Sequence, residues 1–219
     1  MLITPMTPTA TEVRSSHLRA FRLDGARVAL VPEQAVLLAD DRVTVSVRVA
    51  AGASLEIVEP GGTVAYAMRG RSARWDVEVE VEDGGHLVWH GEPFVVSEGA
   101  DVRRSLRVEL APDARVVLRE TLVLGRTGEG PGRLLARTDV HRDGLPVLVE
   151  ELDSIVGLGG HRVVDQVLEL RGFETGAERP PQPPELMVLE SGDRLHRWLG
   201  AATHESPLGP AQSSSPREE

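Results

Sequence analysis

The feature that most constrains this chain is strict alternation of valine or leucine with polar residues, repeated along its middle. In RVTVSVRV, Val43, Val45, Val47 and Val49 share one face. In DVEVEVED, Val77, Val79 and Val81 point one way and Glu78, Glu80 and Glu82 the other. SLRVEL repeats the pattern with Leu106, Val108 and Leu110. Successive side chains of a strand point to opposite faces, so a period of two marks a strand buried on one side. Valine, stiff at χ1, suits such a pleated surface.

Each run ends in turn residues and a second strand follows. The turns are AAGAS before Leu55, EDGGH before Leu87 and APDAR before Val116. Glycine, aspartate and proline there supply hairpin dihedrals. RTDVHRDGLPVLVEE offers a fourth copy, turning at Asp143-Gly144, and RLDGARVAL reads as another hairpin near the start. The run ends Val49, Val81, Leu110 and Val140 lie 32, 29 and 30 residues apart. A hairpin repeated at about 30 residues predicts stacked β-layers, either a sandwich or a solenoid-like stack of sheets. The expected fold is therefore mainly β: stacked two-layer β-sheets, β-helical or solenoid-like, with one or two short helices.

The ends read differently. DQVLELRG (165–172) and LMVLE are late strands; ETGAERPPQPPE (174–185) is a proline-rich break that cannot join a central sheet. SGDRLHRWLGAATH (191–204) is the best helix, with Leu195, Trp198 and Leu199 on one side and Ser191 or Asp193 as N-cap. ESPLGPAQSSSPREE reads as a disordered polar tail. These divisions predict a flexible stretch over 1–16, one β-rich domain over 17–204 and a tail over 205–219.

Composition excludes several function classes. At 219 residues the chain can bury roughly 70% of its unfolded surface. The absence of cysteine removes disulfides, thiolate metal sites and a cysteine nucleophile. A net charge of −10 argues against a nucleic-acid partner. All 24 basic residues are arginine, which excludes P-loop and Schiff-base lysines. The start lacks the basic and apolar regions of a signal peptide, and no apolar run approaches the ~20 residues of a membrane span. The expectation is a soluble cytoplasmic protein with no membrane partner.

The stretch LRETLVLGRTGEGPG (118–132) looks most like a site, with Gly125, Gly128, Gly130 and Gly132 in eight residues. A phosphate loop needs a lysine and a following helix; the sequence offers neither, since RLLARTDV reads as a strand. A nucleophile elbow needs a serine between glycines, and none is present. The bland reading is a wide turn between strands. The functional one is an ordered loop in which Arg126 and Glu129 pair or face a partner.

His86, His90 and Glu92 in GHLVWHGEP are the candidate metal ligands. On a strand, positions i and i+4 stand ~13 Å apart, so one ion needs a bulge, with Gly91 the natural place. Solvated or packed histidines are the alternative. His141 and His161 are isolated, and the acids of 78–82 and of VEELD (149–153) read as wet sheet faces or docking faces for a basic partner. No nucleophile, base and orienting acid share one motif. Three readings stand at this point: a non-catalytic scaffold, a β-sandwich module for carbohydrate or another ligand, and a metal enzyme around His86, His90 and Glu92. Three Trp, one Tyr and three Phe give little for stacking on sugar.

The order of the motifs resembles one known family. An alternating strand precedes LEIVEPGGTVAYAMRG, then LVWHGEPFVVSEGADVRRSLRVEL, LRETLVLGRTGEG and GLPVLVEELD. This is similar to the urease accessory protein UreD family, also called UreH, over about residues 20–172. Gly125, Arg126, Gly128 and Glu129 match its Gly-Arg and Gly-Glu element in the compact form of short actinobacterial members. Glu59 to Tyr66 is a degenerate form of its Thr-Pro-Gly-Ala-Thr-Lys segment, with Val64 at the lysine. Ala39-Asp40-Asp41 replaces a Gly-Gly-Asp, and Glu92-Pro93 reduces a Pro-x-Pro. The resemblance implies a layered β-helical scaffold, not an enzyme. It would act with UreF, the GTPase UreG and the urease subunits in nickel insertion. The implied cofactor is none held tightly, with transient nickel and an internal tunnel for it. Polar side chains on inward positions would line such a tunnel; Ser46 and Arg48 face outward and do not.

Overall fold

The computed structural model describes residues 11–33, 37–172 and 183–208. The chain opens with β1 (Glu12–Ser15), β2 (Leu18–Asp24), β3 (Arg27–Pro32), β4 (Arg42–Val49), β5 (Ser54–Val58) and β6 (Thr63–Ala65). Then come β7 (Ala73–Val81), β8 (His86–His90), β9 (Phe94–Val96), β10 (Asp101–Leu110) and β11 (Arg115–Leu124). It closes with β12 (Arg133–Arg142), β13 (Leu145–Asp153), β14 (Val163–Leu170), β15 (Leu186–Val188) and β16 (Arg194–Gly200). Two sheets face each other. The first runs β1-β4-β7-β10-β12-β13; the second runs β15-β16-β14-β11-β8-β5-β3-β2, with β6 and β9 attached beside β11.

Stacking is parallel and in register. Val47 lies beside Val79, Val79 beside Val108, and Val108 beside Val140. In the second sheet Leu55, Leu87 and Val116 form the matching file. This settles the choice between sandwich and solenoid: each coil lays one rung in each sheet and the next coil stacks on it. The expected period is real, with Val49, Val81, Leu110 and Arg142 in one file. The last end is thus Arg142 rather than Val140.

The three inner turns are not hairpins. AAGAS joins β4 to β5, EDGGH joins β7 to β8 and APDAR joins β10 to β11, and each pair lies in opposite sheets. Gly52 N–H donates to the Asp83 carbonyl at 2.9 Å, so even the turns stack on the next coil. Period-two alternation is identical in a hairpin and in an arch. The arch wins because the valines of β4 and Leu55 and Ile57 of β5 bury each other across one core, while ladder hydrogen bonds come from the following coil. True antiparallel hairpins occur where RLDGARVAL forms β2–β3 and where Asp143-Gly144 joins β12 to β13.

The C-terminal helix is not formed. Residues 194–200 are strand β16, paired antiparallel with β14. The helical spacing of Leu195, Trp198 and Leu199 is overridden by the open edge of β14, whose backbone groups need partners. Asp193 caps no helix; fully buried, it accepts from the Arg171 and Gly172 N–H groups at 2.6 and 2.8 Å. The one helical element among the described residues is a 3₁₀ turn, Thr203–Glu205. Glu12–Ser15, within the stretch expected to be flexible, is β1. Most of the proline-rich break and residues 209–219 of the expected tail lie outside the described residues.

Candidate functional site: a polar row between the sheets

The interior between the sheets is mostly apolar, and one continuous row of charged and amide side chains crosses it. On β10 the inward positions are Val102, Arg104, Leu106, Val108 and Leu110; on β11 they are Val116, Leu118, Glu120, Leu122 and Leu124. Arg104 and Glu120 therefore stand where alternation calls for apolar residues. Register continues the row across the second sheet, with Glu120 beside Gln166 and Gln166 beside Arg197.

These side chains form one hydrogen-bonded chain. Arg104 Nε donates to Glu120 Oε1 at 2.5 Å. Gln166 Nε2 donates to Glu120 Oε2 at 2.8 Å, and Arg197 Nε to Gln166 Oε1 at 2.8 Å. Arg197 also forks onto Glu150 of β13, with one bond of 3.0 Å. Two arginine–carboxylate bridges thus span the gap, Arg104 and Glu150 from the first sheet, Glu120 and Arg197 from the second. The Arg104 guanidinium lies 5.0 Å from the Phe94 ring centroid and 5.9 Å from that of Trp75. Those rings meet edge to face at 5.3 Å.

The row continues towards the chain start through Gly91 and Glu59, one residue beyond the registered pairing of Val58, His90 and Arg119. There the rungs break, β5 from β6 and β8 from β9. Gly91 is required: a Cβ would sit 2.7 Å from the Arg119 carbonyl oxygen. Beside it lies a cavity of about 30 Å³ bordered by Glu59, Trp89, Glu92, Arg104 and Glu120, room for about one or two waters. Glu59 accepts from Trp89 Nε1 at 2.9 Å and from the Glu92 N–H at 3.2 Å. Burial pushes its carboxyl above the usual carboxylate range, against these bonds.

The Gly125–Gly132 loop crosses from β11 to β12 and its charges serve the loop itself. Arg126 Nε donates to Glu129 Oε1 at 2.9 Å, and the Arg126 N–H to Glu129 Oε2 at 3.1 Å. The guanidinium first, then the N–H, hold the Glu129 carboxyl down at about 2. Arg162, unsuspected from sequence, binds the loop's backbone through the Leu124 and Glu129 carbonyls at 2.9 and 2.8 Å. Gly125 has φ of 80°, and a Cβ there would lie 2.3 Å from Arg162 Nη2. Gly128, also at positive φ, has open space around it. The Arg126 side chain remains 54% exposed.

The candidate ligands do not converge. His86 and His90 share the outer face of β8, while Glu92 borders the inner cavity. Burial, then Arg171 and Arg115, depresses the His86 pKa, which marks cation-repelling surroundings. His90 Nδ1 is buried with no hydrogen-bond partner. Among the described residues no group of three or more His, Asp or Glu is placed to hold a metal. Glu78 and Glu80 of β7 are on the wet face as read, and Glu82 just beyond it pairs with Arg48 at 3.1 Å. Trp75 and Trp89 are buried, so neither offers a sugar platform.

The row is hidden in the sequence because the alternation of SLRVEL begins at Leu106, two residues after Arg104. A signal existed: Arg104 and Glu120 are charged residues in inward phase. Their partners Gln166, Arg197 and Glu150 could not be found, since pairing depends on the order of strands in the sheets.

Fold and interior together define a parallel β-solenoid with a polar row threaded through its core. The chain belongs to the UreD urease accessory protein family, whose model matches residues 15–176. It is 45% identical over 169 residues to urease accessory protein UreD 1 of Streptomyces griseus subsp. griseus, covering 74% of this chain and 64% of that one. Over 197 residues it is 36% identical to the UreD of Streptomyces coelicolor, covering 84% and 75%. UreD 2 of Saccharopolyspora erythraea is 39% identical over 166 residues, covering 69% and 58%. The chain thus spans 64% and 58% of the lengths of the S. griseus and S. erythraea relatives. No helix among the described residues is long and apolar enough to cross a membrane.

Proposed function

We propose that this chain is a cytoplasmic scaffold for urease maturation, without catalysis of its own, that helps nickel reach apo-urease. In this reading it works in a complex with UreF, the GTPase UreG and the urease structural subunits. Family membership supports the general role, and the observation that carries the finer one is the polar row between the sheets. Buried ion pairs contribute little net stability compared with apolar residues of the same volume, so five polar side chains crossing a valine-rich core point to use rather than support. Nickel is cargo on this reading, and the carboxylates of Glu59, Glu92 and Glu120 are the oxygen donors along its route. His86, His90 and Glu92 do not share an ion, and contact with nickel at any of them is passing. The exposed Arg126 guanidinium, fixed by Glu129, gives partners a rigid charge to read.

The test is co-expression and pull-down with UreF, UreG and the urease subunits, followed by nickel-dependent urease activation. A stable complex whose removal of this chain abolishes activation is expected. Full activation without the chain, or no complex, sinks the reading.

A further inference from the structure

We infer that Arg104 is a charge gate that closes the interior of the isolated chain to divalent cations, and that its pairing with Glu120 is the closed state. This rests on the proposed nickel route and adds how that route is controlled.

Three observations carry it. First, every carboxylate of the row already has donors. Glu120 accepts from Arg104 and Gln166, Glu150 from Arg197, and Glu59 from the Trp89 indole and the Glu92 N–H. The Arg104–Glu120 and Arg197–Glu150 pairs cancel, so of the row's carboxylates only Glu59, which accepts from neutral donors, has no guanidinium partner. Second, Arg104 is seated rather than loosely placed: its guanidinium stands against Phe94 and Trp75, at 5.0 and 5.9 Å from their centroids. An arginine cannot lose its proton in a protein. Its charge leaves the row only if the side chain swings away. Third, Arg104 borders the small cavity that Glu59, Glu92 and Glu120 also border, so its charge stands where a cation would meet those carboxylates. Removing Arg104 from the row would leave Glu120 with only a neutral amide donor, facing that cavity and attractive to a dication at short range.

Tryptophan fluorescence reads entry directly, since Ni²⁺ quenches indoles at contact. The chain has three tryptophans. Trp198→Phe leaves Trp75 and Trp89, both of which line the cavity. In that background the purified full chain is titrated with nickel chloride and, separately, with acrylamide, an uncharged quencher. Arg104→Gln should raise the nickel quenching constant by roughly tenfold through the uncompensated Glu120 charge, with acrylamide quenching unchanged. Arg104→Lys, which keeps the charge, and Arg104→Gln/Glu120→Gln, which leaves neither charge, should both quench like the parent. Equal rises with nickel and acrylamide would mean loosened packing and overturn the gate. So would an unchanged nickel constant in Arg104→Gln, or a rise that persists in the double variant. If Arg104→Gln does not fold, Arg104→Met is titrated with the same expected rise, and absence of that rise overturns the gate equally. None of these readouts uses urease, so failure of the gate and failure of the maturation role are separate results.

Discussion

Glu120→Ala tests whether the polar row is held for stability. The Glu120 side chain is 7% exposed and that of Arg104 13%. Truncation leaves the Arg104 guanidinium buried with no carboxylate, and the Gln166 Nε2–H₂ loses its acceptor. Breaking a buried pair from one side costs about 3–5 kcal/mol. The aromatic rings beside Arg104 offset part of this, since a cation over a desolvated ring gains about 1–2 kcal/mol. A net loss of about 3 kcal/mol follows, which in a chain of this size lowers Tm by about 10 °C. The double variant Arg104→Met/Glu120→Leu removes both charges and fills the space. It should fall within about 1 kcal/mol of the parent, or above it, because apolar replacement of a buried pair is often neutral or stabilising. Urea denaturation of the three proteins measures both differences. A Glu120→Ala loss below about 1 kcal/mol would show that water reaches the pair. A double variant as unstable as the single one would show the row to be structural, removing the argument that function retains it.

Gly91→Ala places a methyl 2.7 Å from the Arg119 carbonyl oxygen; overpacking of this kind should cost about 1–3 kcal/mol, and a denaturation midpoint equal to the parent's would refute the close approach. Glu59 has a carboxyl pKa raised by burial. The folded state then binds its proton more tightly than the unfolded chain, so ionisation opposes folding above the folded pKa, and the penalty disappears as pH falls through the folded and then the unfolded value. Glu59→Gln should therefore flatten the gain in stability on acidification from neutral pH, and an unchanged stability–pH curve would contradict the raised value. For Glu129 the sign is opposite: its carboxyl is held at about 2, so the stabilisation is present above the ordinary value of 4.5 and is lost as pH falls from there towards 2. Arg126→Ala should speed amide exchange of the Glu98 and Arg126 N–H groups that Glu129 accepts and, because the pair is exposed, lower the unfolding midpoint only slightly; slow exchange in the variant would mean the loop holds itself without the pair.

Much was legible because period two is a local property. The inward faces of β4 and β7 follow from valine at every second position, and the coil length follows from spacing the runs by about 30 residues. The glycine-rich stretch could be recognised as an inter-strand loop from its missing lysine, helix and nucleophile. The helix expected at 191–204 gives way to strand β16 for a physical reason. Its leucine and tryptophan spacing fits 3.6 residues per turn, but the inward phase of β16 is Leu195, Arg197 and Leu199, and β14 supplies an edge that only a strand can satisfy.

What the sequence by itself determined is which residues face inward, how often the chain turns, and which chemistries are absent: no thiol, no lysine, no nucleophile motif. Alternation and composition are readable without knowing any neighbour. Only the tertiary structure decided whether each turn returns to its own sheet or crosses the core, because both paths have the same pattern. Only it brought Arg104, Glu120, Gln166, Arg197 and Glu150 into one chain across five strands. Those contacts are set by strand order and register, and hydrogen bonds between side chains up to 47 residues apart leave no local trace.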